Sequence, residues 1–320
     1  MSIVRKLATA AILSICALGL NAEPKSIVFG ALKGPSGIGM VRLFEAPPLS
    51  ADGSVVQIVA VPSADLMTAK LISGEYDAGV LPINVAAKLY NSGIGIELCA
   101  VIGDGMVSFL SADDSVKTLA DLKGKSVNVA GQGATPDYLL RSLLKGAGLD
   151  PAKDLKLEYE LTYPETAVAL ASGTIVYAVL PEPFATMAKM RNPKLKAVLD
   201  LGALWTVQTG QKSYPMTALV VSSQLASERR GAVSTMLDAC SASISWVVQN
   251  PVEAGALVEK YDLGLKAPIA AKAIPFSAYV FTPALAARKS VEGLLSVFLD
   301  LAPASIGAKL PDGGFYASFD

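Results

Sequence analysis

The sequence predicts an α/β protein of two lobes, each a mostly parallel sheet flanked by helices, joined by a hinge of two strands. Three observations predict it. The chain has 320 residues, long for one simple core and comfortable for two. Strand-like and helix-like runs alternate along it. It also echoes itself about 100 residues apart, as a duplicated unit would.

The first copy of the echo runs Lys25-Ser26-Ile27-Val28-Phe29-Gly30, then Ala31-Leu32-Lys33-Gly34-Pro35-Ser36, and on into Met40 to Phe44. The second runs Lys125-Ser126-Val127-Asn128-Val129-Ala130, then Gly131-Gln132-Gly133-Ala134-Thr135-Pro136, and on into Tyr138 to Leu144. Each is a β-rich run, a Gly/Pro loop and a helical stretch. A second pair follows in the same order. Ser63 is placed to cap a helix through Leu66, Met67 and Leu71 that stops at Gly74, before a strand Tyr76 to Leu81 ending at Pro82. In the other half, a helix over Glu165 to Leu170 stops at Gly173, before a strand Ile175 to Leu180 ending at Pro181. Open α/β sheets bind ligands beyond the carboxyl ends of their strands, so two such lobes face to face form a cleft.

Ile96 to Ile102 and Val107 to Ser111 read as strands leaving lobe one, and Thr217 to Ser222 as a strand returning. Gln224 to Gln249, Pro251 to Tyr261 and Pro283 to Leu301 carry helical periodicity and are expected to pack on lobe one. The expected division is 1–22 as a leader, 23–113 with 217–320 as lobe one, and 114–216 as lobe two.

Hydrophobic residues make up 52% of the chain and charged residues 17%, a composition that fills cores. The formal charge is −1. Loss of Arg5 and Lys6 with the leader would leave about −3. Neither value provides the basic footprint that nucleic acid or an anionic membrane surface requires. Histidine is absent. That excludes Ser-His-Asp and Cys-His nucleophile systems and histidine-ligated metal sites, so no metal or cofactor is expected.

The N-terminus has the three parts of an export signal. Arg5 and Lys6 open it, Leu7 to Leu20 form its apolar centre, and Asn21-Ala22 precede Glu23-Pro24. The stretch Leu13-Ser14-Ile15-Cys16 offers a second reading as a lipoprotein box whose cysteine is acylated, although Ile15 is bulky for that position. Periplasmic localisation follows from either. No later segment reads as long and apolar enough to cross a bilayer. Cys99 and Cys240 fall in apolar patterns and are expected to be buried free thiols.

Three further stretches carry a family resemblance. They are Leu71-Ile72-Ser73-Gly74-Glu75-Tyr76-Asp77-Ala78-Gly79, Thr118-Leu119-Ala120-Asp121-Leu122-Lys123-Gly124-Lys125-Ser126-Val127, and Leu180-Pro181-Glu182-Pro183-Phe184-Ala185. With them the chain resembles the periplasmic binding proteins of ABC importers with the type II fold. The group it resembles contains sulfonate-binding proteins and binders of thiamine-pathway pyrimidines. The resemblance implies a solute-binding protein that works with an inner-membrane ABC permease. Its ligand would be a small organic molecule, a heteroaromatic thiamine-type precursor or a sulfonate. Pyrimidine synthases related to this group bring histidines to a lysine-bound cofactor, so a chain without histidine is expected to bind and not to catalyse. A monomer is expected.

The candidate ligand contacts follow from the loops. Lys33, Gly34, Pro35 and Ser36 lie between strand and helix in lobe one, and Gln132 and Thr135 lie in the matching loop of lobe two. Their glycines allow close backbone approach, and helix-start amides receive polar groups. Ser63 and Asn84, each just after a proline, are expected helix caps that also face the cleft. Glu182 sits between two prolines at a strand end. Tyr163, Trp205 and Tyr214 are candidates to stack on a flat ring, whereas Phe29, Phe109 and Trp246 are expected in the core. These loops hold no arginine, which disfavours a ligand read by bidentate carboxylate or phosphate contacts. The alternatives are a periplasmic enzyme using Lys33 or Glu182 in the same cleft, and a sensory module that reports closure to a receptor.

Overall fold

The computed structural model describes residues 26–50 and 52–319. The expected leader, with Cys16, lies outside them. The chain opens with β1 (Ile27–Leu32), α1 (Pro35–Ile38), α2 (Val41–Glu45), β2 (Val56–Val61), α3 (Ala64–Ile72), β3 (Ala78–Pro82), α4 (Ile83–Asn91) and β4 (Ile96–Asp104). It then crosses to β5 (Val107–Ser111), β6 (Ser126–Val129), α5 (Thr135–Gly146), β7 (Lys156–Glu158), α6 (Tyr163–Ser172), β8 (Tyr177–Pro181), α7 (Phe184–Arg191), β9 (Lys196–Leu199) and α8 (Leu201–Thr209). It returns through β10 (Pro215–Ser222), α9 (Ser223–Glu228), α10 (Arg230–Gln249), α11 (Pro251–Lys260), α12 (Ala267–Ala273), β11 (Tyr279–Pro283) and α13 (Ala284–Leu301).

Local chemistry explains many of these boundaries. Ser63 caps α3 by accepting from the Leu66 N–H at 3.2 Å. Thr162 and Glu165 form a capping box that starts α6, and Gly173 ends that helix at φ 78°. Strands β3 and β8 read as near-continuous apolar runs because helices cover both faces of each sheet.

Strand order is β11-β4-β10-β3-β1-β2 in one sheet and β7-β6-β8-β5-β9 in the other. The order β2-β1-β3-β10-β4 therefore repeats as β7-β6-β8-β5-β9. The echo in the sequence is an echo in topology. Pairing is parallel within β2-β1-β3 and within β7-β6-β8. It is antiparallel at β10 and β5, the strands that arrive from the opposite lobe, so each sheet is mixed.

Sheet membership moves the expected lobe boundary. Val107–Ser111, placed in lobe one from sequence, is an internal strand of the second sheet between β8 and β9. The chain changes sheet at Gly103-Asp104-Gly105, where Gly105 has φ 52°, and not at the polar stretch near Asp113. On the return, Pro215 already pairs with Asp104 in the first sheet. Phe109 is wholly buried in this arrangement, its ring 6.3 Å from that of Tyr177 in β8.

Helix α10 has the length and hydropathy of a membrane span, contrary to the expectation that no later segment does. It is a core helix here: Val233, Met236, Cys240, Ile244 and Val247 are buried against lobe one. Cys99 and Cys240 are buried free thiols in the same cluster. Trp246 is only half-buried, with the Arg42 guanidinium 4.4 Å above its ring. It lies on the solvent side of α10's buried stripe. A second apolar cluster runs from lobe one through Trp205 and Tyr214 into lobe two. Tyr138 of α5 meets Phe298 of α13 there, edge to face at 4.5 Å.

Candidate functional site

The carboxyl ends of β1, β2 and β3 form the lobe-one wall of the cleft. Past Leu32, the Lys33 N–H donates to the Val61 carbonyl at 2.8 Å. The Gly34 N–H, at a φ of 91° that glycine adopts freely, donates to the Leu263 carbonyl at 2.8 Å. The Lys33 ammonium pairs with Asp262 and holds that carboxyl below its ordinary range. The Pro35 carbonyl accepts from the Tyr279 hydroxyl at 3.0 Å. Ser36 is half-buried in the single turn of α1, and Ser63 is exposed at the start of α3.

Asn84 is not a cap. Pro82 holds that position, and Asn84 lies inside the first turn of α4, 8% exposed. Its Oδ1 is enclosed and meets no donor.

The lobe-two wall is braced from within. The Gly133 N–H donates to Asp137 Oδ2 at 3.0 Å, and the Tyr159 hydroxyl donates to Asp137 Oδ1 at 2.8 Å. Burial, and then the Asp137 carboxylate, push the Tyr159 hydroxyl above its ordinary pKa. Thr135 and Asp137 are buried at the start of α5. Gly131 has φ 82°, and a Cβ there would run into the Tyr163 hydroxyl. Tyr163 stacks on Phe184 with ring centroids 5.4 Å apart and planes 16° off parallel. Gln132 is exposed and lines an open groove of about 610 Å³ with Arg141, Leu157 and Tyr159 beside β7.

The floor is the hinge. The Gly105 N–H donates to the Tyr214 carbonyl at 3.1 Å, and the Glu182 N–H to the Met106 carbonyl at 2.8 Å. Glu182 is 2% exposed, and its Oε2 accepts from the Thr186 N–H at 2.9 Å. Burial pushes its carboxyl above the ordinary range. Tyr214 and Trp205, expected as stacking surfaces, are instead fully buried edge to face at 5.9 Å. The Tyr214 hydroxyl is bonded to the Val107 N–H at 3.3 Å and the indole N–H to the Ser213 carbonyl at 3.1 Å. Two large aromatic rings where the two connecting segments cross serve as the hinge's own core.

Asp104, Asp137 and Tyr279 were not anticipated as site residues. Asp104 had a signal, its place between Gly103 and Gly105 at a strand end, and Asp137 had one as an acid in a first helical turn. Tyr279 had none, because its partner Pro35 lies 244 residues away.

The profile of the NMT1-like family matches residues 45–259. No curated protein matches the sequence. Among solved structures, an ABC transporter from Parabacteroides distasonis is 30% identical, covering 92% of this chain and 99% of its own, with a TM-score of 0.79. The periplasmic aliphatic sulphonate binding protein SsuA from Escherichia coli is 21% identical over 89% of this chain and 91% of its own, with a TM-score of 0.71. The alkanesulfonate-binding protein SsuA from Xanthomonas axonopodis pv. citri, bound to MOPS, is 17% identical over 91% and 96%, with a TM-score of 0.64. At those identities the two sulfonate binders share the fold. The family match covers most of the chain, and the repeated strand order about a two-strand hinge agrees with it: the chain belongs to the NMT1-like family and has the two-lobed fold of ABC-transporter substrate-binding proteins.

Proposed function

We propose that the exported chain captures one small organic molecule between its lobes and presents it to an ABC permease in the inner membrane. The observation that carries this reading is the pair of topologically matched lobes, whose strand ends meet at a hinge only two strands wide. Few connections and two walls suit closure around a ligand. Lys33 to Ser36, Ser63 and Asn84 would contact the solute from one side, and Thr135, Tyr163 and Glu182 from the other. Gln132 would contact it at the rim. Tyr214 would act through the hinge it fills and not by stacking.

The solute is a heteroaromatic thiamine-type precursor, a sulfonate or another small molecule of low charge. Tyr163 and Phe184 form the aromatic surface nearest the lobe-two loop. Catalysis is disfavoured by the chemistry of the two groups that would perform it. The Lys33 ammonium is committed to Asp262, and Glu182 is engaged by Thr186. The chain acts as a periplasmic monomer, held at the membrane where Cys16 is acylated.

Gentle purification, denaturation and mass spectrometry of the released compound test this reading. A single solute near one per chain, returned unchanged when added back, is expected. Steady turnover of that compound would overturn binding in favour of an enzyme.

A further inference from the structure

Beyond the hinge strands, the lobes touch along two helix seams. At one, α5 of lobe two meets α13 of lobe one. Tyr138 and Phe298 pack there edge to face at 4.5 Å, both buried, within the apolar cluster that runs through the hinge. Gly293 of α13 has no side chain, and the Gln211 amide occupies the space a Cβ would need. At the other seam, α7 of lobe two meets α12 of lobe one. Among the described residues, Ile269 is the one from lobe one that packs against the smaller apolar cluster of lobe two, which holds Ala185 and Ala188 of α7. The Lys189 ammonium lies 5.6 Å from the ring of Phe276, in the turn Ile274–Phe276 that follows α12.

The two seams differ in what parting them would cost. Parting α5 from α13 would bring two large aromatic rings, about 150–250 Å² of surface each, into water. Parting α7 from α12 exposes far less. Ile269 is only half-buried and Phe276 is already 63% exposed. The second seam is also poorly filled, with a groove of about 390 Å³ lined by Thr186, Lys189 and Met190 of α7 and by Lys272 and Phe276 of lobe one. Lobes of one chain move against each other unless a large apolar interface prevents it. The first seam is such an interface and the second is not.

We infer that the lobes part at one seam only: α12 is a latch that releases α7, while α5 and α13 stay together as a third element of the hinge. Its purpose rests on the solute-capture reading. A solute that enters the parted form is held in the closed one, so the latch sets how readily it enters and leaves.

Paired spin labels on the full chain, with no solute added, test this by distance. One pair, at Lys194→Cys and Lys266→Cys, spans the α7–α12 seam, and the other, at Lys145→Cys and Lys289→Cys, spans the α5–α13 seam. Cys99 and Cys240 are buried, so the introduced thiols take the labels. Wild type should be mainly closed at both seams. Ile269→Asp sets a carboxylate against an apolar cluster and should raise the ratio of parted to closed molecules at α7–α12 by about 10-fold or more. Phe276→Ser, a change at an exposed residue, should raise it by about 2- to 5-fold through loss of the cation–π contact. The α5–α13 distance should stay unchanged in both. Thermal melting reports whether each variant folds, and Phe276→Ser carries the test if Ile269→Asp does not. A wild type with α7 and α12 already apart overturns the latch. So do folded variants in which neither distance changes, or in which both seams part together. Each of these leaves solute capture standing, since that reading is decided by the co-purified compound.

Discussion

The two loops that face each other across the cleft have the same place in the topology and different supports. The lobe-two loop, Gly131 to Thr135, is held by its own neighbourhood: Asp137 four residues on from Gly133, and Tyr159 and Tyr163 soon after. The lobe-one loop, Lys33 to Gly37, is held from far along the chain, by Asp262, Leu263 and Tyr279. The duplicated architecture thus conserves strand order but not bracing. Lobe two can form its wall from one contiguous stretch. Lobe one's wall is complete only after the C-terminal segment has docked.

Asp137→Ala should have the largest effect on this contrast. It strips a buried acceptor from two donors and should cost about 3 kcal/mol in urea unfolding. Hydrogen exchange should quicken at Gly133 and Ala134 while the lobe-one loop keeps its protection. Gly37→Ala should follow at about 2–3 kcal/mol, because the new Cβ meets the Leu32 backbone carbonyl, which cannot swing aside. Gly131→Ala should cost about 1–2 kcal/mol, from a strained positive φ and the displaced Tyr163 hydroxyl. Tyr163→Phe should recover part of that loss, and no side-chain change can do the same for Gly37. Tyr279→Phe should cost about 1 kcal/mol, with faster exchange confined to the lobe-one loop. Equal exchange at both loops in any of these variants would break the contrast.

The smallest effect is one of pH. Burial raises the Glu182 carboxyl above its ordinary value of 4.5. The folded chain therefore favours the protonated form. The stability from this group is fully present below pH 4.5 and fades as pH rises through the higher folded value. Wild type should lose stability relative to Glu182→Gln as pH rises from 4.5 toward neutrality. Chemical unfolding across that range measures it. A wild type that gained stability over the variant as pH rose would mean that Glu182 is stabilised as an anion, through the Lys189 ammonium 3.9 Å away.

Much of the fold is legible in the sequence. Ser63 caps α3 as its position suggested, Gly173 ends α6, and the matched strands before Pro82 and Pro181 are β3 and β8. Each of these depends on residues within a few positions of one another, where hydrophobic period, caps and turn chemistry act. Less of the site was legible. Tyr214 and Trp205 look like binding aromatics in sequence because both lie near a lobe crossing, and Asn84 looks like a cap because it follows a proline.

What the sequence determined by itself is therefore the alternation of strands and helices and the two-fold echo. Tertiary structure alone decided the rest. It placed β5 in the second sheet, enclosed Tyr214 at the crossing and joined Tyr279 to Pro35. Those outcomes depend on which strands lie side by side. Strand order is set by burial of whole surfaces across the molecule, and no periodicity within a single segment encodes it.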